Sequence, residues 1–199
     1  MATMSATMSS ESADYPVHLQ VQYPEGGKRW MILVRWLLAI PHLAIIYVFN
    51  NVSNVITLIA LFAILFTRKY PEGLFKLQLG IQRWSQNVWA YVLFHDQYPP
   101  FSFEDGQYPP VRYTVERQEQ YARFMPLIKW LLAIPHYLVL IFLIVGAAFA
   151  YLWTWVVVLA TGRYPQGPFN YLVGVQRWGA RVSAYVGLMV DQYPPFSLK

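Results

Sequence analysis

The residues of this sequence that could do chemistry come in pairs. Arg35 and His42 stand seven apart in "RWLLAIPHL", and Lys129 and His136 stand seven apart in "KWLLAIPHY". Seven residues is close to two helical turns, so each cation and its histidine share a helix face, about 10 Å apart along the axis. An ionisable side chain inside an apolar run is costly to keep there, which makes all four candidate ligand-binding residues. One use is an anionic headgroup held by Arg35, His42, Lys129 and His136 together. Another is a haem iron or metal ion ligated from both sides by His42 and His136, related by a pseudo-twofold axis. With no carboxylate next to the histidines, the metal signal is weak and no cofactor is expected. The structural alternative has the cations snorkel beside Trp36 and Trp130. Pro41 and Pro135 then kink a helix and free a carbonyl near Leu37 and Leu131, which the histidine of the other unit satisfies.

Further pairs follow. "GIQRW" sets Arg83 beside Trp84, and "GVQRW" sets Arg177 beside Trp178. They suit lipid phosphate or an acidic partner face, and equally the basic and aromatic anchors of an interfacial helix. "DQYPPF" occurs twice, with Asp96 and Asp191 in a rigid exit turn, each able to accept from a tyrosine or pair with Arg83 or Arg177. Tyr70 and Tyr164 open two Tyr-Pro turns. No nucleophile elbow, phosphate-binding glycine loop or HExxH is present, so no residue is assigned to catalysis and the chain is not expected to be an enzyme. The absence of cysteine excludes disulfides and thiolate sites.

Most of these pairs are offset by 94 residues, and the closing motif by 95. The chain therefore reads as one unit used twice. Residues 1–15 are a polar tail expected to be disordered, 16–101 the first unit, 102–110 a linker and 111–199 the second unit. Each unit starts with an alternating segment, "VHLQV" or "VRYTV", that predicts a short strand.

An apolar block follows, from Trp30 to Thr67 and from about Leu127 to Thr161. At 1.5 Å per residue about 20 residues cross a bilayer, so each block predicts a transmembrane helical hairpin or a re-entrant one. Its turn is expected at Asn50–Asn54 in the first unit and near Gly146 in the second. After the Tyr-Pro turn, Leu74, Leu77, Ile81, Trp84, Val88 and Tyr91 predict an amphipathic helix, either lying at the cytoplasmic interface or, as the alternative, packed on its twin in the cytosol.

Composition agrees with a membrane class. The chain is 56% hydrophobic and 13% charged, against roughly a quarter charged for soluble domains. The net charge of +5 is not gathered into a stripe, so nucleic acid is not an expected partner. Lys and Arg flank the apolar blocks and are missing from the two expected tips, which puts both ends of each hairpin in the cytoplasm. The fold class is thus mainly α, polytopic, with two parallel repeats related by an axis along the membrane normal.

"RWLLAIPH", "RKYPEGLF", "GIQRW" and "DQYPPF" together resemble the bacterial membrane proteins grouped as the domain of unknown function 4389 family. The resemblance covers both units, from about Val17 to Phe196, and implies a bacterial inner-membrane protein with a duplicated domain. Lys129 in place of Arg35 and Gly162 in place of Arg68 are two of the departures between the units.

These readings give a multi-pass inner-membrane protein with both termini cytoplasmic. Its expected partners are the lipid bilayer and a homo-oligomer or larger membrane protein. It is expected to serve as a non-catalytic scaffold or accessory subunit. A lipid or small-amphiphile binding or transport protein, and a bis-histidine haem or metal protein, are the alternatives.

Overall fold

The computed structural model describes residues 15–24, 26 and 28–199. The expected disordered tail lies outside them except for Tyr15, which is buried and donates from its hydroxyl to the Gln192 carbonyl at 3.2 Å.

Each unit repeats one order of elements: β1 (Val17–Val21), α1 (Met31–Leu38), α2 (Ile40–Thr67) and α3 (Glu72–Leu93), then β2 (Val111–Val115), α4 (Met125–Leu132), α5 (Ile134–Thr161) and α6 (Gln166–Val186). The alternating segments are strands, as their pattern predicts. They pair antiparallel, with Val17 opposite Val115, Leu19 opposite Tyr113 and Val21 opposite Val111.

The expected hairpin within each apolar block is not formed. α2 and α5 are each one unbroken helix of 28 residues. Asn50–Asn54 is helical: Asn50, Ser53 and Asn54 line a polar cavity, described below, and Asn51 Nδ2 donates to the Tyr47 carbonyl one turn back at 2.8 Å. Gly146 is mid-helix for another reason: a Cβ there would stand 2.6 Å from the Tyr171 hydroxyl, which packs into that space and donates to the Leu143 carbonyl at 2.9 Å. The helical run is interrupted at Ala39 and Ala133, both still in the right-handed helical region, and Pro41 and Pro135 follow in the first turn of α2 and α5, where a missing N–H is best tolerated.

The real helical hairpin is α2 with α3, and α5 with α6. The turn between them ends α2 on Arg68 (φ 58°) and α5 on Gly162 (φ 74°), both left-handed. Glycine adopts that conformation freely, which accounts for one of the departures between the units. α3 and α6 meet through Gln82–Ser183 and Gln176–Gln86 bonds, as in the reading that packs each on its twin. They form the buried centre, because their apolar stripe has a partner: Trp84 and Val88 pack on Ile46 of α2, and Trp178 and Val182 on Leu140 of α5.

The strands cover the far side of these central helices, and they do so crosswise. β2 of the second unit packs on α3 of the first, and β1 packs on α6. Three layers result: α1–α2 and α4–α5 outside, α3 and α6 in the middle, the strand pair beneath.

The halves are related by a twofold axis. Advancing by one repeat turns the pair Val17–Val115 into Val111–Val21 and leaves Leu19–Tyr113 on itself, so the axis passes through that middle pair, perpendicular to the ribbon. The central helices obey it. Gln82 Nε2 donates to Ser183 Oγ at 3.3 Å and Gln176 Nε2 to Gln86 Oε1 at 2.9 Å, so α3 and α6 run antiparallel. α2 and α5 run antiparallel as well. Arg29 before α1 donates to the Ala160 carbonyl near the end of α5 at 3.3 Å. Tyr121 before α4 donates its backbone N–H to the carbonyl of Arg68, just past α2, at 2.9 Å.

Candidate functional site

α1 and α4 carry their cations inward. Arg35 is buried, and its guanidinium is paired with Asp96 through Nε at 3.1 Å and through a closer NH2 contact. Lys129 Nζ lies 2.7 Å from Asp191 Oδ1 and 2.7 Å from the Val190 carbonyl. The second carboxylate oxygen is used identically in both units: Asp96 Oδ2 accepts from the backbone N–H of Lys28 at 2.8 Å, and Asp191 Oδ2 from that of Ala122 at 2.6 Å. Both sites hold a cation against an aspartate, but the fit differs: Lys129 has two acceptors, whereas Arg35 keeps a buried NH1 without a partner among the described residues. Asp96 therefore clamps Arg35 rather than Arg83, and Asp191 clamps Lys129 rather than Arg177.

Each histidine sits in an aromatic box from its own unit. His42 is stacked on Phe101 at 4.0 Å and flanked by Tyr98 and Trp84. His136 is stacked on Phe196 at 4.1 Å and flanked by Tyr193 and Trp178. Trp178 Nε1–H donates to His136 Nδ1 at 3.0 Å, which leaves Nε2 to carry the proton of a neutral ring. Neither histidine reaches across to the other unit. The carbonyl of Leu132, ahead of Pro135, accepts from the Tyr193 hydroxyl at 3.2 Å instead.

Arg83 and Arg177 are also turned inward. Arg83 donates to the carbonyls of Tyr113 (3.3 Å) and Phe103 (3.0 Å) and stands 3.5 Å from Asp105. Arg177 donates to the carbonyls of Leu19 (3.2 Å) and Leu198 (3.3 Å). Each arginine ties the opposite unit's strand to its own unit's trailing segment. Burial lowers the pKa of Arg177, and burial with Arg177 nearby lowers that of Arg181. The glycines of "GIQRW" and "GVQRW" let that segment lie down, since a Cβ would stand 2.7 Å from Phe103 Cβ at Gly80 and 2.8 Å from the Leu198 carbonyl at Gly174.

Tyr70 and Tyr164 are buried turn residues. Tyr164 donates to the Leu93 carbonyl at 3.1 Å. Their own carbonyls accept from Arg117 (2.8 Å) and from the Tyr23 hydroxyl.

The residues that sequence reasoning missed line a cavity of about 480 Å³ between α2 and α5, floored by α3 and α6. Asn50, Ser53, Asn54 and Thr57 of α2 face Gln78, Gln82, Ser85 and Gln86 of α3, with Ser183 opposite. Gln78 is 3% exposed, and its Oε1 has no hydrogen-bond partner among the described residues. The signal was a polar stripe at three- and four-residue steps on α3, facing an equally polar patch in the middle of α2. The second unit has Ile144, Ala147, Ala148 and Tyr151 at the positions of Asn50, Ser53, Asn54 and Thr57. The wall is therefore polar on one side of the axis only. No charged side chain lines it, so it suits a neutral hydrogen-bonding group. Among the described residues no cluster of three metal-ligating side chains occurs.

Around the outside, α2 and α5 present Tyr47, Phe62, Phe66, Phe142, Phe149 and Trp153 as exposed large apolar side chains. Ile40–Thr67 and Met125–Thr161 are long and apolar enough to cross a membrane, and only 17% of the most apolar stretch of each is buried. A core helix of a soluble protein would be mostly covered.

Neither a curated protein nor a solved structure matches the chain. A family profile described as "Domain of unknown function (DUF4389)" matches it twice in tandem, over residues 29–104 and 126–197. With that match covering more than half of the sequence, the chain belongs to the DUF4389 family and carries two copies of its domain.

Proposed function

We propose that this protein is a non-catalytic membrane protein of the bacterial inner membrane, a scaffold or accessory subunit with both termini in the cytoplasm. One observation carries the reading. The repeated cations inside the fold are paired or hydrogen-bonded within it and the repeated histidines are walled off by rings, while the outward faces of α1, α2, α4 and α5 are largely apolar and uncovered. Arg35 and Lys129 are neutralised by Asp96 and Asp191, Arg83 and Arg177 are occupied by backbone carbonyls, and His42 and His136 are enclosed by aromatic rings. A contiguous apolar surface of this extent is a contact surface for lipid or protein. Purification in mild detergent, followed by mass spectrometry of intact complexes, tests it. The expected result is a defined homo-oligomer or a stable membrane-protein partner. A lone monomer that supports its host process without one would overturn it.

The uncharged cavity favours a second reading, the binding of an amphiphile through a neutral polar head. Its depth of amide and hydroxyl groups and the orphaned Gln78 oxygen support it. The test is the lipid profile of the purified protein with and without Ser183→Leu, which fills the cavity. Loss of one lipid species is expected, and an unchanged profile would remove this reading.

A further inference from the structure

Resting on the membrane reading above, we infer that the protein beds flat in one leaflet, with α1–α2 and α4–α5 lying along the bilayer surface rather than crossing it. The twofold axis carries this. It runs at right angles to α2, α3, α5 and α6, since both pairs are antiparallel. If α2 and α5 crossed the bilayer, the axis would lie in the membrane plane at mid-depth, and whatever sits on it would sit there too.

What sits on the axis is the strand pair, at Leu19 and Tyr113. Its outer face carries Gln20 and Arg112, both exposed, with His18 beside them, and the two-stranded sheet has two edges on which Arg177 and Arg83 cover only the Leu19 and Tyr113 carbonyls. An unpaired strand edge in hydrocarbon leaves N–H and C=O groups with no water, and an exposed arginine at mid-depth adds several kcal/mol more. Only a seating that turns the ribbon toward water avoids this. Because the ribbon and the apolar helices occupy opposite outer layers, that seating lays α2 and α5 on the membrane with the axis along its normal.

Three independent features agree. Asn51, which does not line the cavity, is exposed halfway along α2. A crossing helix would hold it at the bilayer centre, whereas a surface helix holds it at headgroup depth. Basic residues sit at both ends of the outer layer: exposed Lys28, Arg29 and Arg163 at one, exposed Arg68, Lys69 and Arg123 at the other. A crossing would put one cluster on the outer side against the usual bias, while a flat seating rings the apolar face with cations for anionic headgroups. Finally, exposed Trp30 just ahead of α1, Trp36 in α1 and Trp130 in α4 are placed where an interface-lying layer wants amphipathic rings. This seating keeps both ends of each apolar block on one side of the membrane without any hairpin.

The test uses the chain's lack of cysteine. Lys69→Cys, Arg163→Cys and Arg112→Cys, all at exposed sites, are expressed singly in the full chain. They are treated with a membrane-impermeant maleimide in inside-out and in right-side-out bacterial membrane vesicles. All three are expected to react from the cytoplasmic face alone, with labelling lost from the other. Lys69 and Arg163 lie at opposite ends of the long helices, so labelling them from opposite faces would overturn the flat seating and leave the membrane reading intact. A depth measurement gives a second readout. Spin labels at Val55→Cys and Phe66→Cys should show equal, shallow depth, and a deep Val55 beside a shallow Phe66 would refute the inference. Failure of the purified protein to float with phosphatidylethanolamine–phosphatidylglycerol vesicles would remove the membrane reading itself, and the seating with it.

Discussion

Lys129 Nζ stands 2.7 Å from Asp191 Oδ1, and the lysine is only 1% exposed. The pair is the twin of Arg35 with Asp96, so the fold sets two half-buried carboxylates to hold two buried cations. Removing one partner leaves the other charge buried and unpaired. Asp191→Ala should therefore destabilise the protein by about 3–5 kcal/mol, and Lys129→Met combined with Asp191→Leu should recover much of the loss. Thermal unfolding in detergent measures both. A single variant as stable as the parent would show that the ammonium has another acceptor or stays neutral.

The two histidine boxes differ in one bond, and this makes a comparison possible. Trp178 Nε1–H donates to His136, while Trp84 Nε1, its counterpart, has no partner among the described residues. Trp178→Phe should cost about 1–2 kcal/mol more than Trp84→Phe, the cost of stranding a buried acceptor. Equal losses would mean that ring packing alone sets the stability of both boxes.

The left-handed ends of α2 and α5 offer a reciprocal pair. Arg68→Gly should raise stability by about 1 kcal/mol by removing the Cβ penalty at φ 58°. The gain is reduced by the lost 3.4 Å bond from Arg68 to the Tyr121 carbonyl. Gly162→Ala, at φ 74° and with Arg29 Nε 2.9 Å from the added Cβ, should lower stability by at least as much. Differential scanning of the two variants side by side decides it.

His95, just past α3, supplies a pH dependence. Burial, with Arg35 nearby, pushes its pKa down to about 4, against small opposing effects from the Gln22 backbone and Asp96. Phe94 and Tyr108 are the rings beside it. An unfolded histidine titrates near 6.5, so between those values the unfolded chain takes up a proton that the folded chain refuses. The stability contributed by this neutral ring is complete above pH 6.5 and is lost as the pH falls toward 4, by up to about 3 kcal/mol. His95→Gln should flatten the profile over that window relative to the parent. Parallel profiles would show that the ring is not titrating.

The duplication, both strands, the Tyr-Pro turns and the apolar character of α2 and α5 were all legible, because each is a local pattern repeated at a fixed offset. The hairpins were not, since Asn50–Asn54 has the composition of a turn and only the distant glutamines of α3 make it a cavity wall. The partner of Asp96 was hidden by 61 residues of chain, although a simple accounting pointed to it: each repeated buried cation needs a carboxylate, and the repeated motifs contain one apiece. The antiparallel relation of the halves was out of reach of any offset, which records that two units are alike and says nothing of the rotation between them.

The crosswise strands have an outcome for how such a chain can be cut and rejoined. Since β2 roofs α3 and β1 roofs α6, neither half owns its own cover, and a fragment ending after α3 exposes a greasy flank that only its sister can shield. Two separately translated fragments should therefore complement one another in one cell, and a protein bearing a single copy of this domain would need to embrace a second molecule of itself to close the same ribbon.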